Sequence, residues 1–198
     1  MSVTLDRILG AFPTRAERFA LSLAIASSFM QLLESPWLPT FSGKTNVVFL
    51  EDTNNPSDHV FGWPHVSREF DRFSCSTPET TIGMPTPCGK RSSNHFTKSL
   101  DRLGILLLEL CFGSSLEDQE HRKRWPEGNN AEEGFVFDTM AARDWQCEVS
   151  REVGFAYAEA VGWCLGGNRS ATTPERWRRD MLRGVIEPLQ RCCDYLAA

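Results

Sequence analysis

The chain has 198 residues, of which 41% are hydrophobic and 24% charged. That balance suits one globular domain of ordinary size and excludes wholesale disorder, collagen-like repeats and a membrane bundle. The formal net charge of -5 argues against a protein that wraps nucleic acid.

Taken in chain order, the first element is a short helix over Val3 to Leu9. A longer helix follows from about Glu17 to Leu33. Thr14 and Glu17 have capping-box spacing, and Phe19, Leu23, Ala26, Met30 and Leu33 recur on one helical face. Pro36 stops it. Asn46 to Leu50 is a short β-branched, apolar run and reads as a strand. From Glu51 to Asn94 the chain turns rich in Pro, Ser, Thr, Asn and Gly, which reads as a long irregular loop with one or two short strands near Trp63 to Phe70.

Leu100 to Phe112 is apolar almost all round and predicts a central buried helix ended by Gly113. Leu116 to Trp125 is polar and predicts a short surface helix; Gly128 to Gly134 reads as a loop. Asp138 or Thr139 is positioned to cap a long helix reaching Leu165, with Trp145, Val149, Val153, Tyr157, Val161 and Cys164 on one face. Gly154 is its candidate interruption, and Gly166 and Gly167 its end. Thr173 and Pro174 open the last helix, whose stripe is Trp177, Met181, Val185, Leu189, Cys192 and Leu196. The sum is a single domain over residues 1–198, mainly α with minor β.

Chemistry-bearing motifs are scarce. Gly43-Lys44-Thr45 ends like a phosphate loop, but Leu38 stands where its first glycine belongs. Gly89-Lys90 is followed by Arg91 and preceded by Met84 at the equivalent place. His59, His65, Cys75 and Cys88 lack the tight pairing of a structural zinc knuckle, so no metal or other cofactor is expected. The seven cysteines, with no secretory signal at the start, read as reduced thiols in a cytoplasmic protein. No apolar run approaches the ~20 residues of a membrane span. Two basic groups, His121 to Arg124 and Arg176, Arg178, Arg179 and Arg183, are weighed as docking patches for acidic lipid or nucleic acid. Acidic neighbours flank both, which favours solvated helix faces.

Leu103-Gly104-Ile105-Leu106-Leu107-Leu108-Glu109-Leu110 with Gly113 resembles the central helix of a protein-kinase C-lobe. Phe19 to Leu33 resembles the long helix before the catalytic loop, and Lys44 to Leu50 resembles the lysine, asparagine and strand that follow the catalytic aspartate. Ala158 to Leu165 with Arg169 resembles a late C-lobe helix and its arginine. More closely, nearly the whole chain resembles an uncharacterised fungal domain-of-unknown-function family. That family has a kinase-like C-lobe, often placed after a helical region related to prion-inhibition (HeLo-like) domains. The residues that carry this likeness include Leu21 to Leu33 with Pro36-Trp37-Leu38, Val66 to Phe70, Leu103 to Gly113 with Leu116-Glu117-Asp118, Trp145 to Leu165 and Val185 to Leu189 with Cys192-Cys193.

The resemblance implies a kinase-like C-lobe without an N-lobe, and it implies lost catalysis. Phosphoryl transfer needs an Asp to orient the hydroxyl and an Asn and an Asp to hold magnesium. Here the base position holds Phe41, Val60-Phe61-Gly62 replaces the metal-binding motif, and the aspartate expected near the start of the central helix is Ser99. Only Asn46 matches. The expectation is therefore no enzyme but an interaction or regulatory module that binds a protein partner, not nucleic acid, with Trp63 and Trp125 as anchors. The alternatives are an enzyme whose site lies under the 51–94 loop and a scaffold with no ligand.

Overall fold

The computed structural model describes residues 2–11, 14–32, 35, 43–50, 64–67, 89–166 and 174–197. Most of them are helical. A small antiparallel sheet runs in the order β1 (Ser2–Thr4), β2 (Val47–Leu50), β3 (His65–Val66). Val3 lies opposite Phe49, and Val47 opposite Val66. The pleat turns Val47 and Phe49 to the same face, where both are buried.

The first helical expectation resolves into two pieces: β1 takes residues 2–4, and α1 covers only Leu5–Ile8. Helix α2 (Arg15–Gln31) starts where the capping box places it. The Thr14 hydroxyl accepts from the Glu17 amide at 3.2 Å, and the Glu17 carboxylate accepts from the Thr14 amide at 3.1 Å. Its buried face is Phe19, Ser22, Ile25, Ala26 and Phe29, so the expected stripe is turned slightly; Leu23 and Met30 sit at its margin.

Helix α3 (Gly89–Phe112) is the axle of the domain. Leu100, Leu103, Leu106, Leu107, Leu108 and Leu110 are fully covered, because α2, α5 (Ala131–Trp145), α6 (Val149–Val153) and α7 (Phe155–Gly166) all pack against it. Gly113 ends it at φ +66, a left-handed conformation that glycine adopts without penalty. Its amide and that of Ser114 close back onto the Glu109 carbonyl. A 3-10 turn (Leu116–Asp118) and α4 (Glu120–Lys123) occupy the stretch expected as a surface helix.

Helix α5 begins seven residues before the expected cap. Asn130 is the cap: its Oδ1 accepts from the amides of Glu132 (3.1 Å) and Glu133 (2.9 Å), while the Thr139 hydroxyl donates to the Phe135 carbonyl inside the helix. The long helix expected up to Leu165 is broken at Gly154, whose φ of +92 separates α6 from α7. The chosen face is right nonetheless: Trp145, Val149, Tyr157, Val161 and Cys164 are buried. The Tyr157 hydroxyl donates to the Leu107 carbonyl at 2.8 Å and meets the Ser22 hydroxyl of α2 at 2.7 Å.

The last helix opens at Pro174 but is not uniform. Helix α8 (Pro174–Met181) leads into a π-helical turn (Leu182–Ile186) and then α9 (Glu187–Ala197). Trp163 packs directly against the π turn. A Cβ on Gly184 would lie 2.3 Å from Cδ1 of Trp163, whose indole meets Trp177 edge-on at 5.5 Å. Gly184→Ala is therefore expected to lower stability by about 1–3 kcal/mol through overpacking. An unchanged denaturant midpoint would mean that Trp163 has room to retreat.

Candidate functional site

Glu109 lies in the last turn of α3, where unsatisfied carbonyls already make the helix end negative. A buried carboxylate there needs a cation. Lys44 supplies it from the turn that precedes β2. The ammonium donates to Glu109 Oε1 at 2.7 Å, to Glu117 Oε2 at 2.6 Å and to the Ser115 hydroxyl, with Asp6 of α1 at 3.5 Å. Glu109 also accepts from the Leu116 amide at 2.9 Å, and the Ser115 hydroxyl donates to Glu117. Side-chain exposure is 11% for Lys44, 3% for Glu109 and 68% for Glu117, so the cluster is closed on the α3 side and wet on the other.

The electrostatics follow from that placement. Burial works against the Lys44 charge, but Glu109 and Glu117 more than offset it and hold the ammonium well above the ordinary lysine range. Burial pushes the Glu109 carboxyl up, against the pull of Lys44 and the Leu116 amide. Burial also works against the charge on Glu117, yet the hydrogen bonds from Lys44 and Ser115 bring its carboxyl below its usual value. An ammonium held that far above neutrality is a fixed charge and not a proton carrier near pH 7.

Beside the cluster a cleft of about 580 Å³ runs between α3 and α5, lined by Lys44, Arg102, Glu109, Arg122, Phe135 and Asp138 among others. Burial lowers the Arg102 guanidinium from its ordinary value, and its carbon stands 5.0 Å over the Phe135 ring. Arg122 is pinned by Asp138 at 2.5 Å and by the carbonyls of Trp125 and Pro126.

The residues singled out in the sequence fall as follows. Asn46 donates its side-chain amide to the Ser67 carbonyl, tying the ends of β2 and β3 together. Trp125 is partly buried and stacks on Phe137 at 5.8 Å. Trp63, Phe41, His59, Cys75, Cys88 and most of the 51–94 loop lie outside the described residues. Among the described residues no group of His, Cys, Asp and Glu is arranged to hold a metal, and no helix is long and apolar enough to cross a membrane. Three of the four residues of the first basic group are paired: His121 meets Glu148 at 2.9 Å, Arg122 meets Asp138, and Lys123 meets Glu120 at 3.1 Å.

The Lys44–Glu109 pair was not legible in the sequence as a pair, since 65 residues separate its members. The available signal was a lone glutamate inside the apolar run Leu103 to Phe112, which requires a buried partner. The large exposed aromatics were also missed. Among the described residues they are Phe155 and Tyr195, near ends of α7 and α9 that the Glu159–Arg191 bridge holds side by side.

One buried axial helix, a ring of helices around it, a three-stranded sheet and a charged cluster at the axle's end define a mainly helical domain of a single core. The chain belongs to the family described as domain of unknown function DUF7580, whose model matches residues 3–194. No curated protein and no solved structure matches it.

Proposed function

We propose that this domain is a non-catalytic interaction or regulatory module, a degenerate kinase-like C-lobe of fungal signalling that works through a protein partner. The observation that carries this reading is the state of Lys44. In the kinase-like reading it belongs to the segment that follows the catalytic aspartate, and here its ammonium is consumed by Glu109, Glu117 and Ser115. Asn46, the one residue that matches the magnesium-binding pattern, is likewise engaged with Ser67. Phe41 at the base position supports the same reading. The cluster then serves to lock the turn before β2 onto the end of α3.

The test is a thermal shift with millimolar ATP and magnesium. A ligand at about 100 times its dissociation constant adds about 2.7 kcal/mol, an easily seen rise in melting temperature. No magnesium-dependent rise is expected, and a clear one overturns the reading.

A further inference from the structure

The two basic groups of the sequence have different fates. In the first, His121, Arg122 and Lys123 face Glu148, Asp138 and Glu120. The second, on α8 and the π turn, lies at the surface. Arg176, Arg178, Arg179 and Arg183 are all exposed; Arg176 has Asp180 at 4.0 Å, whereas Arg179 and Arg183 have no ion-pair partner among the described residues. Their spacing of four residues places Arg179 and Arg183 on one stripe, with Arg176 one turn earlier. Trp177, Met181 and Val185 take the opposite stripe into the core.

This basic edge borders a concavity. Met30 and Gln31, at the C-terminal end of α2, and Arg178, Arg179 and Leu182 line a groove of about 550 Å³. Leu182 is 41% exposed. The surface thus combines an apolar recess with a positively charged rim.

We propose that this groove docks an acidic segment of a partner protein that presents one aliphatic or aromatic side chain to the recess. The proposal rests on the reading of the domain as an interaction module and names the partner's chemistry. Charge complementarity chooses the acidic residues, since Arg179 at the groove and Arg183 one turn on, neither in an ion pair among the described residues, steer and orient an oppositely charged chain. The recess chooses a protein over a bilayer: a concave site receives a side chain, whereas an interfacial helix projects apolar side chains outward. Single-stranded nucleic acid needs stacking platforms, and Trp177 is turned inward against Phe96 and Trp163.

The experiment is fluorescence anisotropy on the full chain with a labelled peptide of alternating Glu and Asp around a single Leu. A matched peptide carries Ser in place of that Leu, and phosphatidylserine vesicles form a separate arm. Saturable binding is expected, weakened about tenfold or more by Arg179→Glu with Arg183→Glu. It should also weaken with the Ser peptide and fall with added salt. Reversal of the other basic group, Lys123→Glu with Arg124→Glu, should leave it unchanged. Circular dichroism melting checks that each variant folds.

Absence of saturable binding up to millimolar domain overturns the proposal, as does equal loss in the Lys123/Arg124 variant, which marks unspecific charge attraction. Vesicle binding without peptide binding overturns it in favour of a lipid surface. The ATP test reports separately: peptide binding together with magnesium-dependent ATP stabilisation removes the non-catalytic reading alone, and neither effect removes the docking site alone.

Discussion

Lys44→Met is expected to destabilise the domain by about 3 kcal/mol, the lower end for one partner removed from a buried ion pair. The lower end applies because Glu117 is 68% exposed, so solvent reaches one side of the cluster. The cost arises from Glu109, left charged and covered in the last turn of α3. Lys44→Met combined with Glu109→Gln should recover more than half of the loss, since Gln carries no charge and still accepts from the Leu116 amide. The deficit of the single variant also depends on pH. A carboxyl whose folded pKa is raised contributes stability below its unfolded value, near 4.5, and loses it as pH rises through the folded value. Without Lys44 that rise in pKa grows, so the single variant should fall further behind wild type as pH climbs from mild acid toward neutrality. Denaturant midpoints of the three proteins at several pH values decide it. A single variant no weaker than the double one would show that the pair is dispensable.

Leu107→Ala should cost about 2–5 kcal/mol, through lost burial and the cavity left behind. Leu107 is fully covered, and its carbonyl also receives the Tyr157 hydroxyl, so the surrounding helices have little freedom to collapse into the space. An unchanged denaturant midpoint would mean that α3 is not the centre of the core.

The sequence was most readable where the physics is local. The Thr14–Glu17 box, the β-branched run before Leu50, the all-round apolarity of Leu100 to Phe112 and the stop at Gly113 each depend on neighbours within a few residues, and each appears in place. The start of α3 was misread: it begins at Gly89, eleven residues before Leu100 and inside the stretch expected as loop, because residues 89–99, mostly polar, carry no apolar stripe. The start of α5 was misread because two competent caps lay in line: Asn130 stands among glycines that suggest a loop, whereas Asp138 and Thr139 precede a cleaner apolar stripe. The π turn was invisible for a different reason. Trp163, which packs on Gly184 inside it, comes from another helix, and no pattern within 182–186 encodes that ring. The Lys44–Glu109 cluster shares this non-local origin. Both basic groups read as solvated helix faces in the sequence, and Arg179 and Arg183 are indeed exposed. Which members pair was not legible: His121, Arg122 and Lys123 meet acids, whereas Asp180 and Glu187 do not pair with Arg179 and Arg183.

The hydroxyl of Tyr157 has a consequence beyond the hydrogen bonds it makes. Aliphatic stripes such as those of α3 and α7 tolerate displacement: slide one helix along the other by a turn, about 5.4 Å, and leucines still meet apolar neighbours. A polar tip has no such tolerance, for only one axial setting brings it to the Leu107 carbonyl while its oxygen meets Ser22 on a third helix. Every other setting strands a hydroxyl in hydrocarbon. Tyr157 thereby acts as a vernier mark, turning a core that many alignments would satisfy into one with a single alignment of three helices.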